Sequence, residues 1–223
     1  MLTVPANFDP MERGERAERI FNEGFNCCQA VVLAFADLIK ASYGLDETTL
    51  ASMCSGFGGG FGRLREVCGA VSGMTMMAGF IQPAADPSVK SDRTANYALV
   101  QEFASAYRKE NGSIVCRELL GLSAASRPAS DASVHGIPAA ASAAVGTSGH
   151  GLPVAASAAV GTSGHGLPVA ASAAVGTSGH GLPVAAESPV PSDRMPEYYR
   201  KRPCGKLVNM AASIVATHLA SMA

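Results

Sequence analysis

An all-α fold, a compact helical bundle interrupted by a long flexible repeat insertion, is predicted by three observations on the 223-residue chain. No run alternates apolar and polar residues over several β-branched positions, so strand signals are scarce. Apolar residues recur at helical spacing, and cap residues stand in front of those runs. The third observation is a block rich in alanine, glycine and proline that separates cleanly from the rest.

Taken in order, the first helix is expected from Met11 to Asn22, with Ala17, Ile20 and Phe21 inward and Gly24 as its stop. Asn26 opens a second helix through Lys40, and Gln29 three residues on completes a capping box. Its Ala30, Val31, Val32, Leu33, Phe35, Leu38 and Ile39 make it apolar nearly all round, hence central. Asp46 caps a short helix through Cys54. The Gly56–Gly62 stretch, GFGGGFG, is a loop, and a helix follows from Glu66 to Phe80. A polar helix from Ser91 to Glu110 buries Tyr97, Val100, Phe103 and Tyr107 and stops at Asn111–Gly112. Ser113 caps a short helix through Leu120, and Pro203 starts a last helix that continues to Ala220.

The repeat is read separately. Ser142 to Ala156, SAAVGTSGHGLPVAA, recurs unchanged at Ser157 to Ala171 and Ser172 to Ala186, and Ser133 to Ala141 is a degraded earlier copy. Each unit holds three glycines and a proline with little bulky side chain, too little apolar burial to offset ordering. His135, His150, His165 and His180 recur with the unit; a weak metal-binding array is the sharper reading, and duplication carrying them along is the plainer one. Residues 127–186 are therefore expected to be a flexible insertion, and residues 1–126 with 187–223 a single helical domain. Loop-closure entropy grows only logarithmically with length, so such an excursion leaves the domain intact.

Composition narrows the function. Seventeen Lys and Arg against 18 Asp and Glu leave no basic excess for a nucleic-acid binder working by bulk electrostatics. The first ten residues lack the basic-then-apolar plan of a signal peptide, which makes a cytoplasmic location the expectation. Val67 to Ala85 and Leu207 to Ala223 lack charge, but polar residues interrupt both, so buried helices are expected and no membrane insertion. The glycine loop matches neither G-x-G-x-x-G nor a following G-K-[ST], which leaves no nucleotide fingerprint.

Six cysteines without secretory context point to metal or redox chemistry. None is spaced CxxC, which excludes the thioredoxin motif, the zinc ribbon and covalent haem attachment by CxxCH together. Position is more telling than spacing: Cys27, Cys68, Cys116 and Cys204 fall at four expected helix N-termini. Free N–H groups and the helix dipole favour thiolate there, the nucleophile of disulfide exchange and the ligand for iron or zinc. Arg63 and Arg65 before Cys68, and Lys201 and Arg202 before Cys204, are expected to push the same way. Cys54, at a helix end, reads as core; Cys28 is a secondary thiol that could resolve an oxidised Cys27.

EGFNCCQAVVLAF, GFGGGFGRLREVCGAVSG, GSIVCRELLG and the late PCGKLV resemble the C_GCAxxG_C_C family of redox-active proteins, with matches at Cys27, Cys68 to Gly73, Cys116 and Cys204. The family is also similar to a domain of split-Soret cytochromes, whose cysteines are associated with an iron–sulfur cluster. The resemblance implies that the four cysteines converge and ligate a [2Fe–2S] or [4Fe–4S] centre for electron transfer with a redox partner protein. Two alternatives use the same residues. One is a thiol–disulfide oxidoreductase in which Cys27 attacks and Cys28 or Cys68 resolves; the other is a zinc-stabilised structural or interaction module. The GxxxG pair Gly69 and Gly73 also suggests close helix packing, and with it a homodimer.

Overall fold

The computed structural model describes residues 2–6, 8–122 and 187–222. Residues 127–186, expected to form the insertion, lie outside the described residues together with their four histidines. Among the described residues the secondary structure is helical, with one isolated antiparallel bridge between Val67 and Val115.

Helix α1 spans Pro10–Asn22, its proline at the first turn and its Asp9 cap accepting from the Met11 N–H at 2.8 Å. The single helix expected from Asn26 to Lys40 is two, α2 (Cys27–Leu33) and α3 (Ala36–Tyr43). Buried Arg13 explains the break. Its guanidinium donates to the Ala34 carbonyl at 2.8 Å and forks onto the Asp37 carboxylate, between the rings of Phe8 and Phe35. A backbone oxygen freed at the kink thus finds a charged donor. Helix α4 (Glu47–Cys54) follows the Asp46 cap as expected and runs into a short 3-10 turn, Ser55–Phe57.

Helix α5 (Gly69–Ile81) starts three residues later than expected, and α6 (Lys90–Asn111) closes on Gly112 in the left-handed conformation. On α6, Leu99, Phe103 and Tyr107 are buried, whereas Tyr97, expected inward, is 59% exposed. Leu99 lies four residues before Phe103 and eight before Tyr107, and this stripe rather than the one through Tyr97 faces α5 and α9. The short α7 (Cys116–Leu119) has Val115 as its cap, while Ser113 accepts from the Val115 N–H and contacts Glu118. After residue 187 come α8 (Pro196–Lys201), absent from the sequence reading, and α9 (Cys204–Met222).

The core is built on α2, which touches α1, α4, α5 and α9. Helix α9 lies along α1, an approach that Gly14 permits, since a Cβ there would meet Ser213 and the Asn209 carbonyl. No helix among the described residues is long and apolar enough to cross a membrane.

Candidate functional site

Asn26 sets the first corner of the site. Its Oδ1 accepts from the Cys28 and Gln29 N–H groups at 2.9 and 3.0 Å, and Gln29 Oε1 returns the bond to the Asn26 N–H at 2.8 Å. Its Nδ2 also donates to the carbonyls of Cys54 and Ser55, which ties the start of α2 to the end of α4. Cys27 is thereby the first residue of α2, half-buried and turned to a cavity, while Cys28 turns the other way into the core.

Cys68 arrives as the N-cap of α5. The helix can sit directly on α2 because Gly69 and Gly73 carry no side chain. A Cβ on Gly69 would lie 2.9 Å from the Phe57 oxygen and 3.0 Å from Cys27 Cβ; one on Gly73 would lie 2.7 Å from Val31 Cβ. The GxxxG face is thus occupied within the chain, by α2, and the packing expected of a homodimer is used here.

Cys116 is brought in by backbone pairing. Around the Val67–Val115 bridge, Cys68 N–H donates to the Ile114 oxygen at 2.8 Å and Cys116 N–H to the Glu66 oxygen at 2.6 Å. Cys68 and Cys116 therefore stand on adjacent backbones. The glycine loop makes room: Gly60, at φ +73°, would place a Cβ 2.6 Å from that of Cys116. Phe61, Arg63 and Arg65 also have positive φ, so this loop stores backbone strain beside the site. Cys204 opens α9, whose position on α1 is fixed by packing and by Asn209 Nδ2 donating to Glu18 at 2.9 Å.

Cys27, Cys68, Cys116 and Cys204 line one cavity of about 40 Å³, together with Arg65, Arg194, Arg202 and Tyr198. Tyr198 lies between the guanidinium groups of Arg194 and Arg202, at 5.5 and 4.7 Å from its ring centre. Arg194 is further held by the Phe25 carbonyl at 2.8 Å. Arg65 pairs with Glu187, as does Arg63 more loosely, so the segment following residue 187 is tied to the glycine loop. Among the described residues, no three His, Cys, Asp or Glu side chains stand close enough to hold one ion.

The thiols do not share one electrostatic fate. Cys204 is lowered to about 7, first by the Cys27 thiol donating to it and then by Arg202, Arg65 and Arg194. The same contact raises Cys27, reinforced by burial and by the other thiols. Burial pushes Cys68 up, and burial with the neighbouring Cys68 pushes Cys116 to about 11 against the pull of Arg65. The expectation of four thiolates at helix starts is corrected in this respect: desolvation leads at Cys68 and Cys116, and the contact with Cys204, then burial, at Cys27. Of the flanking cations, Arg202 lowers Cys204 as expected, and the others act elsewhere. Arg63 and Arg65 engage Glu187 and Cys116 rather than Cys68, and Lys201 pairs with Glu197 at 2.6 Å.

Cys28 does not join the site. It is fully buried against Cys54, and that contact, then burial, raises its thiol. The reading of Cys54 as core is right about burial and missed its sulfur partner. Three further participants carry no local sequence signal: Arg194 just before α8, Tyr198 within it, and Tyr107, whose hydroxyl lies 3.7 Å from Cys68 Sγ. Tyr107 was legible as core, but nothing local marks its contact across α6 and α5.

A family model described as "Putative redox-active protein (C_GCAxxG_C_C)" matches residues 25–144. The matched stretch includes Cys27, Cys68 and Cys116, and Cys204 lies beyond it. Comparison with curated proteins and with solved structures gives no match.

Proposed function

We propose, from the premise that this chain belongs to the C_GCAxxG_C_C family of redox-active proteins, that Cys27, Cys68, Cys116 and Cys204 together hold an iron–sulfur cluster for electron transfer. The observation that carries this reading is four thiols around one cavity faced by three arginines. Among the described carboxylates, Glu187 is the one ion-paired to these arginines. Four ligating thiolates bring a negative charge that such an excess of guanidinium would balance. The donor set is the all-cysteine set that iron–sulfur centres take. When bound, the cluster would supply a one-electron couple whose potential follows charge and hydrogen bonding at the sulfurs.

The chain's own residues would do the rest. Arg65, Arg194 and Arg202 offset the ligand charge, Tyr198 and α8 cover one side of the cavity, and Leu119, Leu120 and Leu207 keep its wall apolar. A separate redox protein would deliver or accept the electron. A single tetrahedral zinc fits less well, because it asks for four sulfurs about 2.3 Å from one point, and no three candidate ligands among the described residues gather so closely.

A second reading has its own support in the Cys204–Cys27 contact. The lowered thiol is Cys204, not Cys27, so the attacking role expected of Cys27 passes to Cys204. In that chemistry the Cys204 thiolate attacks a substrate disulfide and displaces one substrate thiolate. Cys27 then gives up its proton and attacks Cys204 in the mixed disulfide, releasing the second thiolate and leaving Cys27–Cys204 oxidised. The substrate disulfide is reduced by the two electrons the protein loses.

Purification with and without air, followed by iron and acid-labile sulfide analysis, separates the readings. Iron and sulfide with visible absorbance in the anaerobic preparation are expected. A colourless, iron-free protein from both preparations overturns the cluster reading, and a Cys27–Cys204 disulfide found by mass spectrometry would then favour the exchange chemistry.

A further inference from the structure

The largest fully buried side chain among the described residues, Tyr107, ends in a hydroxyl that the packing alone does not require. One turn earlier on α6, Phe103 fills the neighbouring wall as plain hydrocarbon. A buried hydroxyl left without a partner is destabilising. Among the described residues the partner of the Tyr107 hydroxyl is Cys68 Sγ, at 3.7 Å.

We propose that Tyr107 is a positioning residue of the four-cysteine site: its O–H donates to the Cys68 sulfur and stabilises that sulfur in its electron-rich, ligating form. The inference rests on reading the four cysteines as one redox site. Sulfur is a weak acceptor as a thiol and a much better one when it carries negative charge. A thiolate or metal-bound sulfur has no proton to give, so a phenol facing it can only donate.

A second observation at the same sulfur points the same way. Cys68 caps α5, and the N–H groups of Ala70 and Val71 lie near its sulfur without closing a full cap bond. Three donors thus face one sulfur. Donors converging on one sulfur are of most use once that sulfur is ligated and carries negative charge. Tyr107 is the one member of this set that a substitution can delete without touching the backbone.

The test uses Tyr107→Phe in the full chain. In the reduced, metal-free protein the S–H stretch of Cys68, assigned by its loss in Cys68→Ser, is expected to shift when the hydroxyl is removed. An unmoved band overturns the proposal. If Tyr107→Phe fails to fold, Cys68→Ala is read instead in the tyrosine C–O region: a changed tyrosine band supports the contact and an unchanged one overturns it. In the iron-loaded protein the variant is expected to disfavour the reduced state about tenfold, ~59 mV more negative for a one-electron couple. Wild-type iron content with an unchanged potential overturns the proposed role. If the wild-type chain binds no iron, the cluster reading falls alone, and the infrared result still decides whether Tyr107 holds Cys68.

Discussion

Cys27 and Cys28 are neighbours in sequence and open onto different chemistry. Cys27 faces a cavity shared with three other thiols and three arginines; Cys28 faces Cys54 in a core with no solvent exposure at either residue. One helical step, about 100° of rotation, separates the two environments. The difference shows that a thiol's surroundings here are set by which face of α2 it occupies and not by its proximity to a helix start. Both residues lie in the first turn under the same Asn26 cap. On the cavity side the Cys27 thiol first, then Arg202, Arg65 and Arg194, lower Cys204, and the same contact, then burial, raises Cys27.

The strongest way to break this comparison is to remove one sulfur from each side. Cys204→Ser is expected to abolish iron and sulfide loading. Cys28→Ala is expected to leave loading at the wild-type level and to cost about 1–2 kcal/mol in unfolding free energy, the scale of losing a small buried group. Iron analysis and urea melts on both variants check the pair. Equal loss of loading in the two would erase the distinction between the faces of α2.

A smaller effect sharpens the electrostatic half. In the reduced, metal-free chain, alkylation of Cys204 is expected to fall about tenfold per pH unit below 7, its lowered value, while Cys116 responds only near its raised value of about 11. The same shift carries a stability sign. The folded-state value lies below the ordinary 9.0 of a free thiol, so the contribution is present above that value and is lost as pH falls through about 7. Peptide-resolved mass spectrometry of alkylated protein reads both thiols together. Replacing Arg202 by glutamine is expected to move the Cys204 midpoint upward.

How far all this was legible depends on the range of the forces involved. Caps and periodicity located most helices because the Asn26 and Asp46 bonds are made within three residues. The α2–α3 break was hidden because its cause, Arg13, sits 21 residues upstream of the Ala34 carbonyl it serves. In the same way the four cysteines were identifiable singly from helix starts and from the family resemblance, but the means of bringing Cys68 beside Cys116 was not. A two-residue backbone bridge has no periodicity to read. Tyr97 was misplaced because the stripe of α6 that packs, through Leu99, Phe103 and Tyr107, is chosen by α5 and α9.

The seam between α5 and α2 supplies the finest comparison, since three glycines of one helix meet three different surroundings. Gly69 and Gly73 press on Cys27, the Cys28 backbone and Val31; Gly79 has nothing within 4 Å of where its Cβ would be. Gly73→Ala must push α5 off α2 and is expected to cost about 1–3 kcal/mol, as overpacking does. The same displacement would shift Cys68 away from Cys27 and lower loading, so both faces of α2 would suffer together. Gly79→Ala keeps a helical backbone in open space and is expected to stabilise by about 0.4–1 kcal/mol, with loading unchanged. Thermal melts with iron analysis on the two variants give the answer. If Gly79→Ala were as damaging as Gly73→Ala, the glycines would matter for backbone freedom along α5 and not for the approach of α5 to α2. The site would then owe its assembly to something other than that seam.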